Sequence, residues 1–343
     1  MALSYDNLSA LIAAKYLPVL IDNIFKKTYL FAILDKKARE YKGRKIVAPL
    51  EYAVNSNVQF TSKWGSYAIT PQELFTAAEY TAKMLTGALP IALEDELESE
   101  TPEAIKPFID SCVKNLEKSV MDVLTTNLFS RTLQASQTNA WLHLADIINA
   151  STSVTVGGVI SSSVVPTWWR SKVMDGDSFS GDITQEDDLI DPTKDSYIKR
   201  IIQKGIAKAK YLTGEEPDHI IVPQYIYDMI ESIEDLKRSF KPSDRASKMG
   251  FTALQYRNSD IIPDEKLTAA QTGNTDGRIY FLNTDYLYLY FNPNARFKMG
   301  KFIEATAFNG KVAKVHVYGN MVTTNRAAQC VLTGIYSPTD YST

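Results

Sequence analysis

Residue types that build metal and redox sites are scarce in this sequence. Its 343 residues include two cysteines and three histidines. Cys112 and Cys330 lie far apart and belong to no Cys-X-X-Cys or Cys/His cluster, so neither a structural zinc site nor a redox pair is predicted. His219 and His316 lie in strand-like stretches, where a structural role is the expected one. We therefore expect no metal and no cofactor.

Long apolar runs and catalytic motifs are absent as well. No run of about 18 apolar residues occurs, and the N-terminus lacks a basic region, so neither a membrane span nor secretion is predicted. The sequence contains no Gly-X-Ser-X-Gly, His-Glu-X-X-His, P-loop or dinucleotide-binding motif. Its acidic runs, Glu94–Glu100 and Glu186–Asp188, are typical of solvated chain rather than of paired glycosidase carboxylates. The sequence predicts no enzyme and no catalytic residue, although a hydrolase with an unrecognised site stays an alternative.

Excess charge of one sign is also missing. The 37 basic side chains nearly balance the 40 acidic ones, which leaves a formal charge of -3. Binding to phosphates needs clustered Lys and Arg, and no basic stripe is evident. Any contact with DNA is therefore expected to be weak and non-specific.

What is present is enough apolar material for a core, together with one polar stretch that carries large apolar side chains. Hydrophobic residues make up 45% of the chain, which suffices for two packed domains. Lys45–Tyr52 and Phe75–Ile91 alternate as strands do, and we predict that they pair as a long hairpin. The intervening Asn55–Pro71 is rich in Asn, Ser, Thr and Gly and is too long for a tight turn. Because exposed aromatic side chains on such a loop need a partner surface, we predict that four of them contact a neighbouring molecule: Phe60, Trp64, Tyr67 and Ile69.

A second aromatic feature lies in residues 149–191, which have no helical period and are predicted to be irregular. Trp168 and Trp169 are adjacent there. Such a pair serves as a stacking platform for a base or sugar, as an interface anchor, or as a plug in the core. We favour the last two roles and include both residues among the candidate intersubunit contacts.

The clearest single element is a long helix. Thr101 is a good N-cap, Pro102 suits the first helical position, and apolar residues then recur at helical spacing to Leu128. The pattern predicts an amphipathic helix of about 30 residues, roughly 45 Å long.

The remaining elements complete an α+β fold, with strands early and late and helices between them. The terminal segments are expected to share a sheet beneath the long helix. The expected elements are a helix at Ser196–Leu212, a buried strand at His219–Val222, a helix at Pro223–Ile233, a hairpin-like run at Gly277–Phe291, and strands over Arg296–Ile335 with turns at Asn309-Gly310 and Gly319-Asn320.

The order of these elements resembles that of the major capsid proteins of tailed bacteriophages, which have the Hong Kong 97-type fold. The most specific stretch is Val317–Ile335, where a Gly-Asn pair precedes an Asn-Arg segment and a final strand. Ala327 and Ala328 depart from the more basic residues that relatives often carry. The family is identified by the order of its elements more than by invariant residues.

The resemblance implies a structural subunit that assembles into pentamers and hexamers and forms an icosahedral shell around a double-stranded DNA genome. It further implies a separate scaffold protein, a portal, decoration proteins, non-specific contact with the packaged DNA and no membrane. The chain would be made in the bacterial cytoplasm and reside in the virion head. An encapsulin-like compartment, which has the same fold, stays an alternative. The implied domains are an N-terminal arm (1–40), an extended E-loop hairpin (41–90), a peripheral domain with the spine helix (91–194), an axial domain (195–290) and strands that return to the peripheral domain (291–343).

Overall fold

The structure is a computed structural model. It describes residues 29–66, 69–92, 102–130, 139–149, 155–160, 165–176, 179, 183, 185–233, 241–243, 253–269, 277–305, 309–336 and 338. Most of the predicted N-terminal arm lies outside this part of the chain.

The elements follow the α+β order predicted from the sequence. The α-helices of the described residues are α1 (Tyr29–Lys36), α2 (Pro102–Leu128), α3 (Leu144–Ile147), α4 (Glu186–Ile190), α5 (Ile198–Lys210), α6 (Gln224–Ser232) and α7 (Glu265–Ala269). The strands are β1 (Arg39–Glu40), β2 (Lys45–Glu51), β3 (Phe75–Thr81), β4 (Lys83–Ala92), β5 (Lys172–Asp175), β6 (His219–Val222), β7 (Lys241–Pro242), β8 (Leu254–Tyr256), β9 (Ser259–Pro263), β10 (Gly277–Leu282), β11 (Leu287–Phe291), β12 (Lys298–Met299), β13 (Ile303–Glu304), β14 (Gly310–Thr323) and β15 (Cys330–Ile335).

A six-stranded sheet is organised around the long strand β14. Its order is β1-β11-β14-β12, and β4 and β13 also pair with β14. The β4–β14 pairing is antiparallel and runs from Lys83 opposite Gly319 to Ala92 opposite Gly310. An early and a late segment of the chain therefore form one surface.

The predicted long helix is confirmed as α2, and it packs against β4. Buried residues recur along it at helical spacing: Val113, Leu116, Val120, Leu124 and Leu128. A Cβ atom at Gly87 of β4 would lie 2.7 Å from the Leu116 side chain. Glycine at this position therefore allows the helix to approach the strand closely.

The hairpin β2–β3 is a separate two-stranded sheet, paired in register from Lys45–Thr81 to Glu51–Phe75. Burial alternates strictly along β2, so that Ile46, Ala48 and Leu50 face the core while Val47 faces outward. The hairpin ends at Thr81, because β4 turns away to pair with β14. The predicted strand Phe75–Ile91 is therefore two strands in two sheets.

The other large sheet has seven strands in the order β5-β15-β10-β6-β9-β8-β7. Residues on one face, such as Ile220 and Phe281, pack with helices α5 and α6. Residues on the other face, such as Ile221 and Tyr280, join the core of the six-stranded sheet. Each face of this sheet is therefore buried against a different set of elements.

Two local predictions from the sequence are wrong. Gly277–Phe291 is not a hairpin, because β10 pairs with β6 and β15 whereas β11 pairs with β14. Gly319-Asn320 is not a turn but part of β14, where a Cβ on Gly319 would lie 2.4 Å from the Tyr290 carbonyl oxygen. The final strand β15 inserts between β5 and β10.

Candidate functional site

The hairpin β2–β3 carries an extended tip, residues 52–74. The last backbone hydrogen bond before the tip joins the Tyr52 amide to the Leu74 carbonyl at 3.1 Å. Beyond it, polar side chains connect the two arms. Asn57 donates to the Thr70 carbonyl at 3.0 Å and accepts from the Thr70 hydroxyl at 2.8 Å.

Two further contacts of the same kind brace the hairpin tip. The Ser56 amide donates to the Gln72 side-chain oxygen at 2.9 Å, and the Gln59 side chain donates to the Ser66 carbonyl at 3.1 Å. These hydrogen bonds between polar side chains and the backbone hold the tip in its conformation. The tip consequently holds its shape without burying its apolar side chains.

Those apolar side chains face solvent. Trp64 is 90% exposed, Ile69 is 78% exposed and Phe60 is fully exposed. Val54 and Val58, which sequence analysis did not single out, are exposed beside them. The predicted contact residue Tyr67 lies outside the described residues. A cluster of this kind is costly in water and is relieved when another surface covers it.

The two adjacent tryptophans differ in burial. Trp169 is 1% exposed, and its indole N–H donates to the Val156 carbonyl at 3.1 Å, so within this chain it is a plug in the core, one of the two roles favoured from the sequence. Trp168 is half-buried and stacks on Tyr52, with ring centroids 5.3 Å apart. The pair supports the start of the hairpin tip from within the same chain.

The base of the hairpin is fixed by the stretch Val317–Ile335. Asn320 is buried, accepts from the Leu142 amide at 2.8 Å and donates to the Thr81 carbonyl at 2.8 Å. Tyr80 donates its hydroxyl to the Thr323 carbonyl at 2.7 Å. Burial of Tyr80 raises the pKa of its hydroxyl, which therefore stays a donor.

Arg326 continues this network beneath the hairpin. The side chain of Asn325 caps the 3₁₀ turn Arg326–Ala328 by accepting from the Ala327 amide. The buried Arg326 guanidinium donates to the Ile147 carbonyl at 2.8 Å, and burial lowers the pKa of Arg326 to about 10. Nearby, His143 and Asp146 lie 2.8 Å apart and are both buried.

The base also includes a close approach of the backbone at Gly157 to strand β3. Gly157 has a φ of 66°, and its carbonyl accepts from the Glu79 amide at 2.8 Å. A Cβ at this glycine would lie 2.7 Å from the Ala78 side chain on β3. Position 157 therefore requires both the backbone freedom of glycine and its small size.

A second polar cluster surrounds Asp260. Ser243 donates to Asp260 at 2.7 Å, and His219 lies 3.8 Å from the same carboxylate, but all three side chains are at most 3% exposed, so a substrate has no access to them. Within the described part of the chain, no group of three or more His, Cys, Asp or Glu is placed to hold a metal ion. No helix there is long and apolar enough to cross a membrane.

Known proteins resemble this chain by structure and not by sequence. No protein-family model and no curated protein matches it. The capsid asymmetric unit of cyanophage A-1(L) matches with a TM-score of 0.63 and 13% identity over 91% of this chain and 93% of that one. The capsid of a native GTA particle matches with a TM-score of 0.51 and 8% identity, over 88% of this chain and 89% of that one.

The chain has the Hong Kong 97-type fold. An encapsulin complex from Synechococcus elongatus PCC 7942 is also matched, with a TM-score of 0.48, 12% identity and coverage of 90% of this chain and 88% of that one. The α+β class and the resemblance to the Hong Kong 97-type fold are thereby confirmed. The domain boundaries and the roles of individual contact residues in this fold stay predictions.

Proposed function

We propose that this chain is the structural subunit of an icosahedral phage capsid. Copies of it would form pentamers and hexamers that enclose double-stranded DNA, and its role would be structural rather than catalytic. The observation that carries the proposal is the hairpin tip, which exposes Phe60, Trp64 and Ile69 on a rigidly held base. The fold shared with a cyanophage capsid supports the same role.

Exposed apolar side chains give assembly its driving force. Burial of a Trp or Phe side chain contributes about 1.5–3 kcal/mol each. An identical contact repeated between all copies closes into rings when it joins different surfaces of neighbouring subunits. The tip of one copy would therefore be covered by another copy.

The wider assembly follows from the same proposal. A separate scaffold protein and a portal would accompany the shell, decoration proteins would bind its outside, and the DNA would be held without sequence preference. The subunit would be made in the host bacterial cytoplasm and would end in the virion head.

Removal of the tip tests the proposal. We would replace residues 55–71 with a short Gly-Ser linker and examine the purified chain by circular dichroism, thermal melting and negative-stain microscopy. Secondary structure and melting should be nearly unchanged, whereas closed particles should disappear. Unfolding of the shortened chain would assign the tip to the subunit core, and normal shells would contradict its role in assembly.

A matched pair of variants separates apolar contact from loop shape. Phe60→Ser, Trp64→Ser and Ile69→Ser together should abolish particles. The control, Ser62→Ala with Lys63→Ala and Ser66→Ala, changes the same number of residues in the same loop and should assemble.

If the unaltered protein stays monomeric in light scattering at all concentrations and salts, the capsid proposal is wrong. The contents of purified particles then distinguish a capsid from an encapsulin-like compartment, because a capsid would contain DNA and a compartment would contain protein cargo.

A further inference from the structure

Helix α5 has a charge composition unlike that of the chain as a whole. Its thirteen residues include no Asp or Glu. Its basic residues are Lys199, Arg200, Lys204, Lys208 and Lys210, and the three that share one side, Arg200, Lys204 and Lys208, are here termed the α5 basic face. The rest of the chain is correspondingly acidic, since the whole carries a formal charge of -3. The expectation that the chain has no basic stripe is therefore wrong for this helix.

The basic residues form a stripe on a firmly held helix. Arg200, Lys204 and Lys208 recur at every fourth position, which aligns them along one side at intervals of about 6 Å. On the opposite side Ile202 and Ile206 are buried against the seven-stranded sheet. The helix therefore presents its positive charges at fixed spacing.

Within the described part of the chain, Lys204 and Lys208 of this face have no carboxylate partner. Lys208 donates to the Val173 carbonyl at 2.8 Å, and Lys204 lies over the Phe179 ring at 4.7 Å. Of the basic residues of the helix, only Arg200 and Lys210 pair with carboxylates in the described part of the chain, with Asp195 at 3.7 Å and Glu216 at 3.2 Å.

A further lysine adds to the positive charge at the end of the helix. Lys172 of β5 donates to the Ala209 carbonyl at 3.1 Å. The pKa of Lys172 is lowered, first by burial and in addition by the positive charge of Lys208.

The chemistry of the face favours phosphate over protein. The cores of protein interfaces are depleted of Lys and enriched in large apolar anchors. Within α5 no large apolar side chain faces solvent, and the exposed Tyr211 and Leu212 follow its last residue. Clustered Lys and Arg along one helix are the electrostatic footprint of nucleic-acid binding.

We propose that the α5 basic face contacts the phosphate backbone of duplex DNA without reading its sequence. This inference rests on the proposed capsid function, which supplies enclosed DNA as the polyanion. It also names the surface responsible for the non-specific contact with packaged DNA.

The test measures binding of a random-sequence duplex of about 20 base pairs, the span expected to cover several lysines, across a series of salt concentrations. In Arg200→Gln, Lys204→Gln and Lys208→Gln together, the slope of log K against log salt should become shallower by about 0.9 for each of these side chains that neutralises a phosphate. A second duplex of scrambled sequence should bind equally well. The variant with Lys204→Arg and Lys208→Arg should keep the original slope because it retains the charge.

The control variant removes the same charge from another surface. Lys42→Gln, Lys298→Gln and Lys314→Gln replace exposed lysines on and near the six-stranded sheet, and the slope should stay as in the unaltered chain. Equal slopes for the α5 variant and this control would overturn the inference. So would loss of particles in the α5 variant alone, because the face would then be a contact between copies. Absence of particles from the unaltered protein would instead count against the capsid proposal, and the duplex assay would still report on the face.

Discussion

The two ends of one hairpin differ completely in what surrounds them. At the base, Ala48 and Ala78 are fully buried and Tyr80 bonds to β14. At the tip, Phe60 and Trp64 are exposed and the arms are joined by polar side chains. The base is thus stabilised by its own chain, whereas the tip is left with apolar surface to bury elsewhere. Under the proposed function, stability and assembly depend on different ends of the same two strands.

The largest effect on stability is expected beneath the base. Trp169→Ala removes a fully buried ring and its hydrogen bond to Val156, which should lower the free energy of unfolding by about 3–5 kcal/mol. Chemical denaturation of unassembled subunits measures this loss. A change below about 1 kcal/mol would show that the site is not packed as a core.

A smaller loss of stability is expected where the backbone of residue 157 contacts β3. Gly157→Ala introduces a Cβ that meets Ala78 and places alanine at a φ of 66°. The expected cost is about 1–3 kcal/mol, as is usual for overpacking. The matched control is Gly158→Ala, which has a φ of 69° but no atom within 4 Å of its Cβ, so it isolates the backbone part of the effect. Equal losses in both variants would remove the packing explanation.

The hydrogen bond from the base to β14 should contribute less. Tyr80→Phe keeps the ring and leaves the Thr323 carbonyl without this donor, which should cost about 0.5–1.5 kcal/mol. Denaturant titration at neutral pH measures it, and the variant should still form particles. A variant as stable as the original would show that the bond does not hold the base.

A substitution at the tip is expected to have the smallest effect on stability and the largest effect on assembly. Trp64→Ala should change the free energy of unfolding by less than about 0.5 kcal/mol, because the ring touches little of its own chain. Particle formation should nevertheless require higher protein concentration in light scattering. If Trp64→Ala destabilises the subunit as much as Trp169→Ala does, the distinction between base and tip fails.

The parts of the fold that could be predicted from sequence are those governed by local spacing. Helix α2 follows from apolar residues at every third or fourth position, and β2 follows from strict alternation. The partners of β11 and β15 could not be predicted, because pairing depends on segments far away in the chain. Gly319 was misread for the same reason, since what it accommodates is the distant Tyr290 carbonyl rather than a turn.

The candidate site was predictable in part. The polar surroundings of Phe60, Trp64 and Ile69 indicated exposure, and the structure agrees. Trp169 lies in an equally polar stretch, yet segments from elsewhere bury it, which no local pattern reveals. The α5 basic face was hidden by the near-neutral whole chain, whereas counting charge helix by helix would have found it.

The pairing of β4 with β14 also sets an order of events during synthesis. The exit of the hairpin is anchored to residues 310–323, which leave the ribosome long after the hairpin itself. Contacts between segments so distant in sequence form late in folding. A nascent chain consequently has no fixed base on which to display its tip. If the tip joins copies as proposed, association of incomplete chains is thereby disfavoured until the late strands have been made.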